Sequence, residues 1–513
     1  GYFPGALYDE NIQLGPAFFW ARLYLALLAL AALCACATLR RRAHKSSLIC
    51  ALATILAAIL WVRSGALGFN VSARDIEGAL GGRLETPHFV ILYPKGVAFS
   101  PPIEVIAAEH EFRYAQVARA FEVEPQGKIA SYYFASAEQK QRWMGAGATF
   151  IAKPWRREIY IQHDDFPHPT LRHEIAHVFA GAFGDPLLGV SVEWLGWPPA
   201  RVNVGMIEGA AVAADWPGSG TATLTPHQAA RAMLDLGKLP RLAALLAPGF
   251  LSFSSAQSYT TAGSFAYYLI TRFGAPRFRE AYRKGGGANA LHAIYGLSLT
   301  TLEEEWRAEI RRAPLAAQER EVARERFRRP GIFQRPCPHA VAKRAAEATA
   351  LLDRGDFDAA IALLSRVCAD DPLEPSHQLM LAGALAQGRR AAEALAIYER
   401  LGHDEGLSSP LRARTLAAAA DLAARQDDLA TAETHVLAAL AFEADDNTKR
   451  GLLVRQIAFD GDSGLAAALR AYLLARGDHR RDASPTILLL RAQEVASSFP
   501  ASGIGHYLVG RVL

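Results

Sequence analysis

Two histidines stand four residues apart in the segment PTLRHEIAHVFAG, residues 169–181, with a glutamate directly after the first. Residues four apart lie on one face of an α-helix, so His173 and His177 can bind one metal ion together. Glu174 lies about 100° around the helix from His173, where its carboxylate can reach a water on the metal without binding the metal itself. The HExxH spacing therefore predicts a hydrolytic zinc site. The alternative is a buried helix that happens to contain two histidines.

Catalytic zinc needs a third protein ligand and keeps one position for water. The segment VNVGMIEGAAVAADW, residues 202–216, places Glu208 before a glycine in an Ala-rich helical run, where small side chains allow a close approach. Glu208 is the predicted third ligand, and a solvated helix carboxylate is the alternative. Glu193, beside glycine and paired prolines in a predicted loop, is a competitor. Asp215, two helical turns after Glu208, is another candidate and is expected to lie behind the ligands.

The segments TLRHEIAHVF, IEGAAVAADW and SYTTAGSFAYYLITRFG resemble the peptidase MA-like (gluzincin) metallopeptidases, relatives of thermolysin and the zinc aminopeptidases. The resemblance covers residues 86–312. It implies that His173, His177 and Glu208 bind Zn²⁺, that a peptide or protein is the substrate, and that Glu174 is the general base. In the aminopeptidase branch a tyrosine donates a hydrogen bond to the oxyanion, and Tyr259 is the nearest match.

The sequence departs from that family at two places. About thirty residues separate His177 from Glu208, so an inserted loop around LLGVSVEWLGWPPA has to be accommodated. The segment MGAGAT, residues 144–149, lacks the acidic residue of the aminopeptidase motif. Recognition of a free amino terminus is therefore not supported.

The elements before the HExxH helix predict an α+β domain. HFVILYP, KIASYYFA, ATFIA and REIYIQH have strand character, and residues 101–125 show helical spacing after a proline pair. ATFIA or REIYIQH is the expected edge strand that pairs with an extended peptide. His163 and His168, in the loop QHDDFPHPT, either contact substrate or are solvated loop residues.

The first 70 residues carry two apolar segments. They run from Leu23 to Leu39 and from Ser47 to Val62 without a charged residue, and with their flanks both reach the roughly 20 residues that cross a bilayer. The basic loop RRRAHK joins them, and such short loops stay in the cytoplasm. We expect a membrane hairpin over residues 1–70, with the rest of the chain on the extracytoplasmic (periplasmic) side. The alternative is two buried helices, while a cleaved signal peptide fits two segments poorly.

The C-terminal part is rich in Ala and Leu and almost entirely helical in pattern. Residues 313–338 are charged and then Pro-rich, which indicates a linker. The separation of Gly355 and Gly388 is close to the tetratricopeptide period of roughly 34 residues, and a third, looser copy of the same pattern follows. Residues 339–513 therefore resemble tetratricopeptide repeats, whose stacked helix pairs form a concave surface for peptides or proteins. A plain helical bundle is the alternative.

Composition limits the remaining possibilities. The net charge is only +4 and no basic face interleaved with aromatics is evident, so nucleic acid is not an expected partner. Cys337 and Cys368 lie in the predicted exported part, where they form either a disulfide or two free thiols. The chain begins with Gly, and its last segment, GIGHYLVGRVL, has the pattern of the first helix of a pair, so a longer protein is expected.

Together these features predict an α+β zincin-like peptidase domain over residues 80–312. Two transmembrane helices precede it, and an all-α tetratricopeptide-like solenoid follows it. The predicted function is a membrane-tethered zinc peptidase that uses a metal-activated water, with repeats that recruit a substrate or partner. The alternative is an inactive peptidase fold that serves as a scaffold, while the repeats mediate protein–protein assembly at the membrane.

Overall fold

The chain forms two compact units in a computed structural model. The first unit extends to residue 312, except for the segments 231–239 and 252–256, which belong to the second unit together with residues 313–513. The structure describes residues 15–41, 44–147, 149–194, 200–216, 224–246, 248–328, 338–442, 444, 446–461, 463–476 and 485–512.

Two apolar helices, α1 (Pro16–Arg41) and α2 (His44–Val62), form an antiparallel hairpin. Tyr24 of α1 stacks on Trp61 of α2, with ring centroids 5.7 Å apart. Both helices are long and apolar enough to cross a membrane, and only 6% and 11% of their apolar windows are buried. Exposed apolar surface of this extent favours a lipid environment. The two predicted apolar helices are thus confirmed, and the side of the membrane stays a prediction.

A five-stranded sheet forms the core of the first unit. Its strands, in the spatial order β1-β2-β3-β5-β4, are β1 (Gly81–Glu85), β2 (Phe89–Pro94), β3 (Ile129–Phe134), β4 (Ile151–Lys153) and β5 (Glu158–Gln162). β2, β3 and β5 run parallel, whereas β1 and β4 are antiparallel edge strands.

Two features of this sheet differ from the sequence prediction. β5 (REIYIQH) is internal, so of the two candidate edge strands only β4 lies at an edge. The structure also has β1, which escapes prediction because GGRLE lacks the β-branched and aromatic residues typical of strands.

Helices cover both faces of the sheet. On one face, α3 (Ala73–Leu80) packs with Leu92, Tyr132 and Tyr160 in a buried cluster. On the other face lies α4 (Ile103–Phe121). Parallel strands that are covered on both sides require apolar side chains at successive positions. This explains the nearly continuous apolar run of β2.

Further elements complete the chain up to residue 312. The segment predicted as an inserted loop, LLGVSVEWLGWPPA, contains a short strand, Val192–Trp194, that pairs antiparallel with the strand Ala200–Val202 at its end. Residues 195–199 of the predicted loop lie outside the described residues. In chain order the elements are α5 (Ala137–Met144), a 3-10 helix (Pro154–Arg156), α6 (Leu171–Phe183), β6 (Val192–Trp194), β7 (Ala200–Val202), α7 (Val204–Ala214), α8 (Pro226–Asp235), α9 (Leu242–Leu245), a 3-10 helix (Pro248–Ser252), α10 (Ser255–Phe273), α11 (Ala275–Arg283), α12 (Ala288–Tyr295) and α13 (Leu299–Ile310).

After residue 312, the regular elements of the described residues are all helices. From residue 338 onward each helix packs against the next, as in a tetratricopeptide-like array. They are α14 (Ala317–Arg326), α15 (Pro338–Asp353), α16 (Phe357–Asp370), α17 (Pro375–Gln387), α18 (Ala391–His403), α19 (Ser409–Arg425), α20 (Leu429–Leu440), α21 (Asp446–Phe459), α22 (Gly464–Arg476), α23 (Pro485–Ser498), a 3-10 helix (Pro500–Ser502) and α24 (Ile504–Val512).

Two segments of this part for which the sequence analysis makes predictions contain helices. The predicted linker contains α14, whose Glu321 accepts a hydrogen bond from the Ser409 hydroxyl at 2.6 Å and whose Glu325 binds Ser408. Its charges belong to a helix with one solvated face, a pattern that resembles a linker in composition. The terminal segment GIGHYLVGRVL contains α24, which packs against the preceding α23. That it is the first helix of a further pair stays a prediction.

The predicted disulfide falls partly outside the described residues. Cys368 is a half-buried free cysteine in α16, and burial raises the pKa of its thiol. Cys337 lies outside the described residues. The bridge between them therefore stays a prediction.

Candidate metal centre

Three predicted ligands converge at one point of the first unit. The Nε2 atoms of His173 and His177 lie 3.2 Å apart, and each lies 3.4 Å from Oε2 of Glu208. The donor atoms lie within 4.8 Å of one another. Their side chains are only 10–16% exposed. In the described part of the chain, no other group of three or more His, Cys, Asp or Glu residues converges in this way.

Helix α6 brings the two histidines to this point because its opposite side is apolar. Ile175, Ala176 and Phe179 are fully buried, and α6 packs against α4, α7 and the sheet. Arg172, the residue before His173, donates a hydrogen bond to the carbonyl oxygen of Trp216 at 2.8 Å. This bond joins the start of α6 to the end of α7.

Helix α7 brings the glutamate. Its N-cap is Asn203, whose side-chain oxygen accepts a hydrogen bond from the Met206 N–H and whose amide donates to the Gly285 carbonyl. A Cβ on Gly209 would lie 2.7 Å from the backbone oxygen of Ala262. α7 and α10 therefore approach closely next to Glu208, as the Gly-Ala composition predicts.

The electrostatics of the cluster favour positive charge at the imidazoles. Burial lowers the pKa of His173, but the hydrogen bond to Glu208 and the negative charges of Glu174, Glu208 and Asp215 outweigh it and raise that pKa to about 9. Burial raises the pKa of Glu208, but His177 and His173 hold it far below its usual range. Either a proton on the imidazoles or a divalent cation would supply the positive charge that this field favours.

Glu174 follows His173 in α6 and has a different environment. It is 6% exposed, and burial raises the pKa of its carboxyl group, while the charges of His177 and His173 oppose that rise. Its carboxylate is thus within electrostatic reach of the cluster without belonging to it. A buried carboxyl group with a raised pKa is suited to accept and return a proton.

Tyr259 lies beside the cluster on α10. Its ring centroid is 6.4 Å from that of His173, and the two rings are tilted by 31°. The ring also contacts Phe250 edge-on, at 5.5 Å between centroids. Tyr259 therefore stands next to one of the two histidines, where the resemblance expects a hydrogen-bond donor.

The other candidates have different surroundings. Glu193 lies in β6 rather than in a loop, and its carboxylate binds Arg201. Asp215 is the C-cap residue of α7, and its charge contributes to the raised pKa of His173. Neither belongs to the cluster.

The histidines of the loop before α6 are not both solvated. His168 is 3% exposed, its Nε2 donates to the Gln162 carbonyl at 3.0 Å, and its N–H donates to Glu109 at 3.0 Å. His163 is half-buried and bonds the Tyr133 hydroxyl at 2.9 Å. The prediction of a solvated loop residue is therefore wrong for His168, whose hydrogen bonds hold the loop that leads into α6.

Two residues that position the site are not predicted from the sequence. Asn203 stands directly before a helical apolar run, where Asn is a preferred N-cap, so its role is predictable in principle. Glu109 carries no such signal, because its partner His168 lies 59 residues later. Arg113, one turn further along α4, completes the buried pair with Glu109 at 3.3 Å.

The donor set fits zinc. Two imidazole nitrogens and one carboxylate oxygen are ligands that catalytic zinc sites use, and three protein ligands leave a position for water. Burial of the Glu208 carboxylate costs free energy unless a positive charge lies beside it, either on the imidazoles or on a metal ion.

Comparison with known proteins identifies one segment of the chain. The tetratricopeptide repeat family matches residues 345–406, which begin within α15 and end after α18. No curated protein and no solved structure matches the chain. The family assignment therefore applies to a tetratricopeptide repeat segment in the second unit.

Proposed function

We propose that the chain works at a membrane through two modules: repeats that bind a protein partner and a zinc-dependent peptidase site in the first unit. The tetratricopeptide match supports the first part, since stacked helix pairs of this family form protein-binding surfaces. One observation carries the second part. His173, His177 and Glu208 converge beside a buried Glu174.

Each residue of the site has a role in this proposal. When bound, zinc supplies Lewis acidity, which polarises a carbonyl group and makes water more acidic. His173, His177 and Glu208 hold the ion. Glu174 takes the proton from water and delivers it to the leaving amine. Tyr259 donates a hydrogen bond to the carbonyl oxygen as negative charge develops there.

The substrate of this proposal is an extended peptide. β4 is an edge strand of the sheet that precedes the metal helix, and α6 packs against it. An unpaired strand edge offers backbone N–H and C=O groups to a peptide of any sequence. The main chain of the substrate would be held there, while its side chains contribute selectivity.

A second candidate function is an assembly scaffold in which the peptidase-like unit is inactive. The tetratricopeptide match favours this candidate more directly than hydrolysis, because it covers the repeats and nothing matches the HExxH region. The presence of Glu174 favours hydrolysis. A scaffold that only held a metal would need the three ligands but no buried base beside them.

The two candidates are separated by Glu174→Gln. The variant keeps the shape of the side chain and loses the base, so peptide hydrolysis should fall about 100- to 10,000-fold while zinc binding is unchanged. The measurement is cleavage of a quenched fluorescent peptide library by the full chain in detergent. Glu193→Gln is the matched control, because this carboxylate lies outside the cluster, and it should cleave normally.

The outcomes decide between the candidates. Equal cleavage by the wild type and Glu174→Gln would contradict the assigned base. A wild type that binds zinc but cleaves no member of the library would favour the scaffold.

A further inference from the structure

A pocket of about 300 Å³ opens in the second unit between α19, α21, α22 and α24. This volume is at the lower end of the range of ligand sites, roughly 300 to 1,000 Å³. The floor of the pocket is apolar, because it is lined by the buried side chains of Leu452, Tyr472 and Leu508. The pocket lies outside the segment that matches the tetratricopeptide family.

Three arginines line this pocket, and only one of them is neutralised. Arg455 donates two hydrogen bonds to Asp421, from Nε at 2.8 Å and from a terminal nitrogen at 2.7 Å. Arg414 is exposed and forms no ion pair with any described residue. Arg511 is also exposed and reaches only the side-chain oxygen of Asn447, at 3.4 Å.

The sequence explains why two of these charges are unbalanced. Carboxylates three or four residues away on the same helix normally pair with exposed arginines. Pro410, Leu411, Ala417 and Ala418 occupy those positions around Arg414. Four and three residues before Arg511 stand Tyr507 and Leu508, which carry no charge either. The pocket therefore combines two free positive charges with an apolar floor.

We propose that this pocket binds an acidic segment of a protein partner. Two side-chain carboxylates of the segment pair with Arg414 and Arg511, and an apolar side chain between them contacts the floor. The arginines stand on two different helices, so two carboxylates complement them better than a single chain terminus. Binding of nucleic acid would call for a longer series of phosphate contacts than two cations provide.

This proposal rests on the partner-binding part of the proposed function and is independent of hydrolysis. The test uses the full chain in detergent, carrying Glu174→Gln so that no probe is cleaved. The probe is a fluorescently labelled, C-terminally amidated Glu-Leu-Glu-Leu-Glu peptide, and its Kd is measured by fluorescence polarisation. The reference peptide is Gln-Leu-Gln-Leu-Gln with the same label.

The acidic peptide should bind at least about tenfold more tightly than the reference, as expected for charge-assisted hydrogen bonds. The double variant Arg414→Gln/Arg511→Gln should abolish that difference. Arg354→Gln/Arg366→Gln is the matched control, because both residues are exposed arginines of the same unit away from the pocket, and it should retain the difference.

Three results would overturn the proposal. The first is an equal Kd for the two peptides, and the second is a preference for the acidic peptide that survives Arg414→Gln/Arg511→Gln. The third is a labelled oligothymidylate that binds more tightly than the acidic peptide and whose binding is lost in the same double variant, which would assign the pocket to nucleic acid. None of these results depends on whether the first unit hydrolyses peptides.

Discussion

A neutral histidine in the core connects α4 to the sheet. His110 is fully buried, its Nδ1 donates to the Ile106 carbonyl at 2.8 Å, and its Nε2 accepts from the Ser131 hydroxyl at 3.0 Å. An Nε2 that accepts from Ser131 carries no proton, so this bond requires the uncharged ring, whereas the bond to Ile106 forms in either charge state. Burial lowers the pKa of His110 from 6.5 to about 4, although the bond to Ile106 opposes this shift.

The first prediction is a pH dependence of stability that His110→Gln reduces. Between pH 6.5 and about 4 the unfolded chain binds a proton at His110 and the folded chain does not. The free energy of unfolding is therefore undiminished by His110 above pH 6.5. Below that pH the proton bound by the unfolded chain lowers it by at most about 1.4 kcal/mol per pH unit. The measurement is the free energy of unfolding of wild type and variant at several values from pH 7 to pH 4.5.

The comparison with the variant isolates this residue. His168 and His227 act in the same direction in both proteins, because burial lowers their pKa values too. His292→Gln, which removes an exposed histidine of α12, serves as the control and should retain the wild-type slope. Identical slopes for wild type and His110→Gln would contradict the account.

At the scale of elements, the position of Glu208 depends on how closely α7 approaches α10. A side chain on Gly209 would meet backbone atoms of Ala262, which cannot rotate away. We predict that Gly209→Ala lowers the free energy of unfolding by about 1–3 kcal/mol. Because the change pushes α7 outward, it should also weaken zinc binding.

Gly78→Ala provides the matched control in α3, where nothing lies within 4 Å of the added methyl group. Alanine should raise stability there by about 0.5–1 kcal/mol. Denaturation of both variants and a competitive zinc titration measure the two effects. A Gly209→Ala protein as stable as the wild type would show that the helices can separate without cost.

The site residues that the sequence predicts are those with a recognisable pattern within a few residues of the chain. The HExxH spacing and the Gly-Ala run around Glu208 single out residues that the fold brings together, because helix periodicity and small side chains are visible within a few residues. Strand β1 pairs with the next strand, β2, but its residues GGRLE carry no strand pattern of their own. The bond from His168 to Glu109 joins residues 59 positions apart, so no local pattern predicts it.

For the whole molecule, the exposed apolar hairpin predicts that the chain partitions into membranes rather than into the soluble fraction. The described helices α1 and α2 expose almost all of their apolar windows. We predict that the full chain stays with membranes in alkaline extraction, and that removal of residues 1–70 releases the remainder into the soluble fraction. A full chain that appears in the soluble fraction would contradict the membrane assignment.

The zinc content of the purified chain distinguishes a metal site from a buried pair of histidines. The full chain, purified in detergent without chelator, should contain about one zinc per chain by elemental mass spectrometry. His173→Ala, His177→Ala and Glu208→Ala should each lose most of that zinc, whereas Glu174→Gln and Glu193→Gln should keep it, since neither side chain belongs to the cluster. A His173→Ala protein that retains the wild-type zinc content would contradict the account.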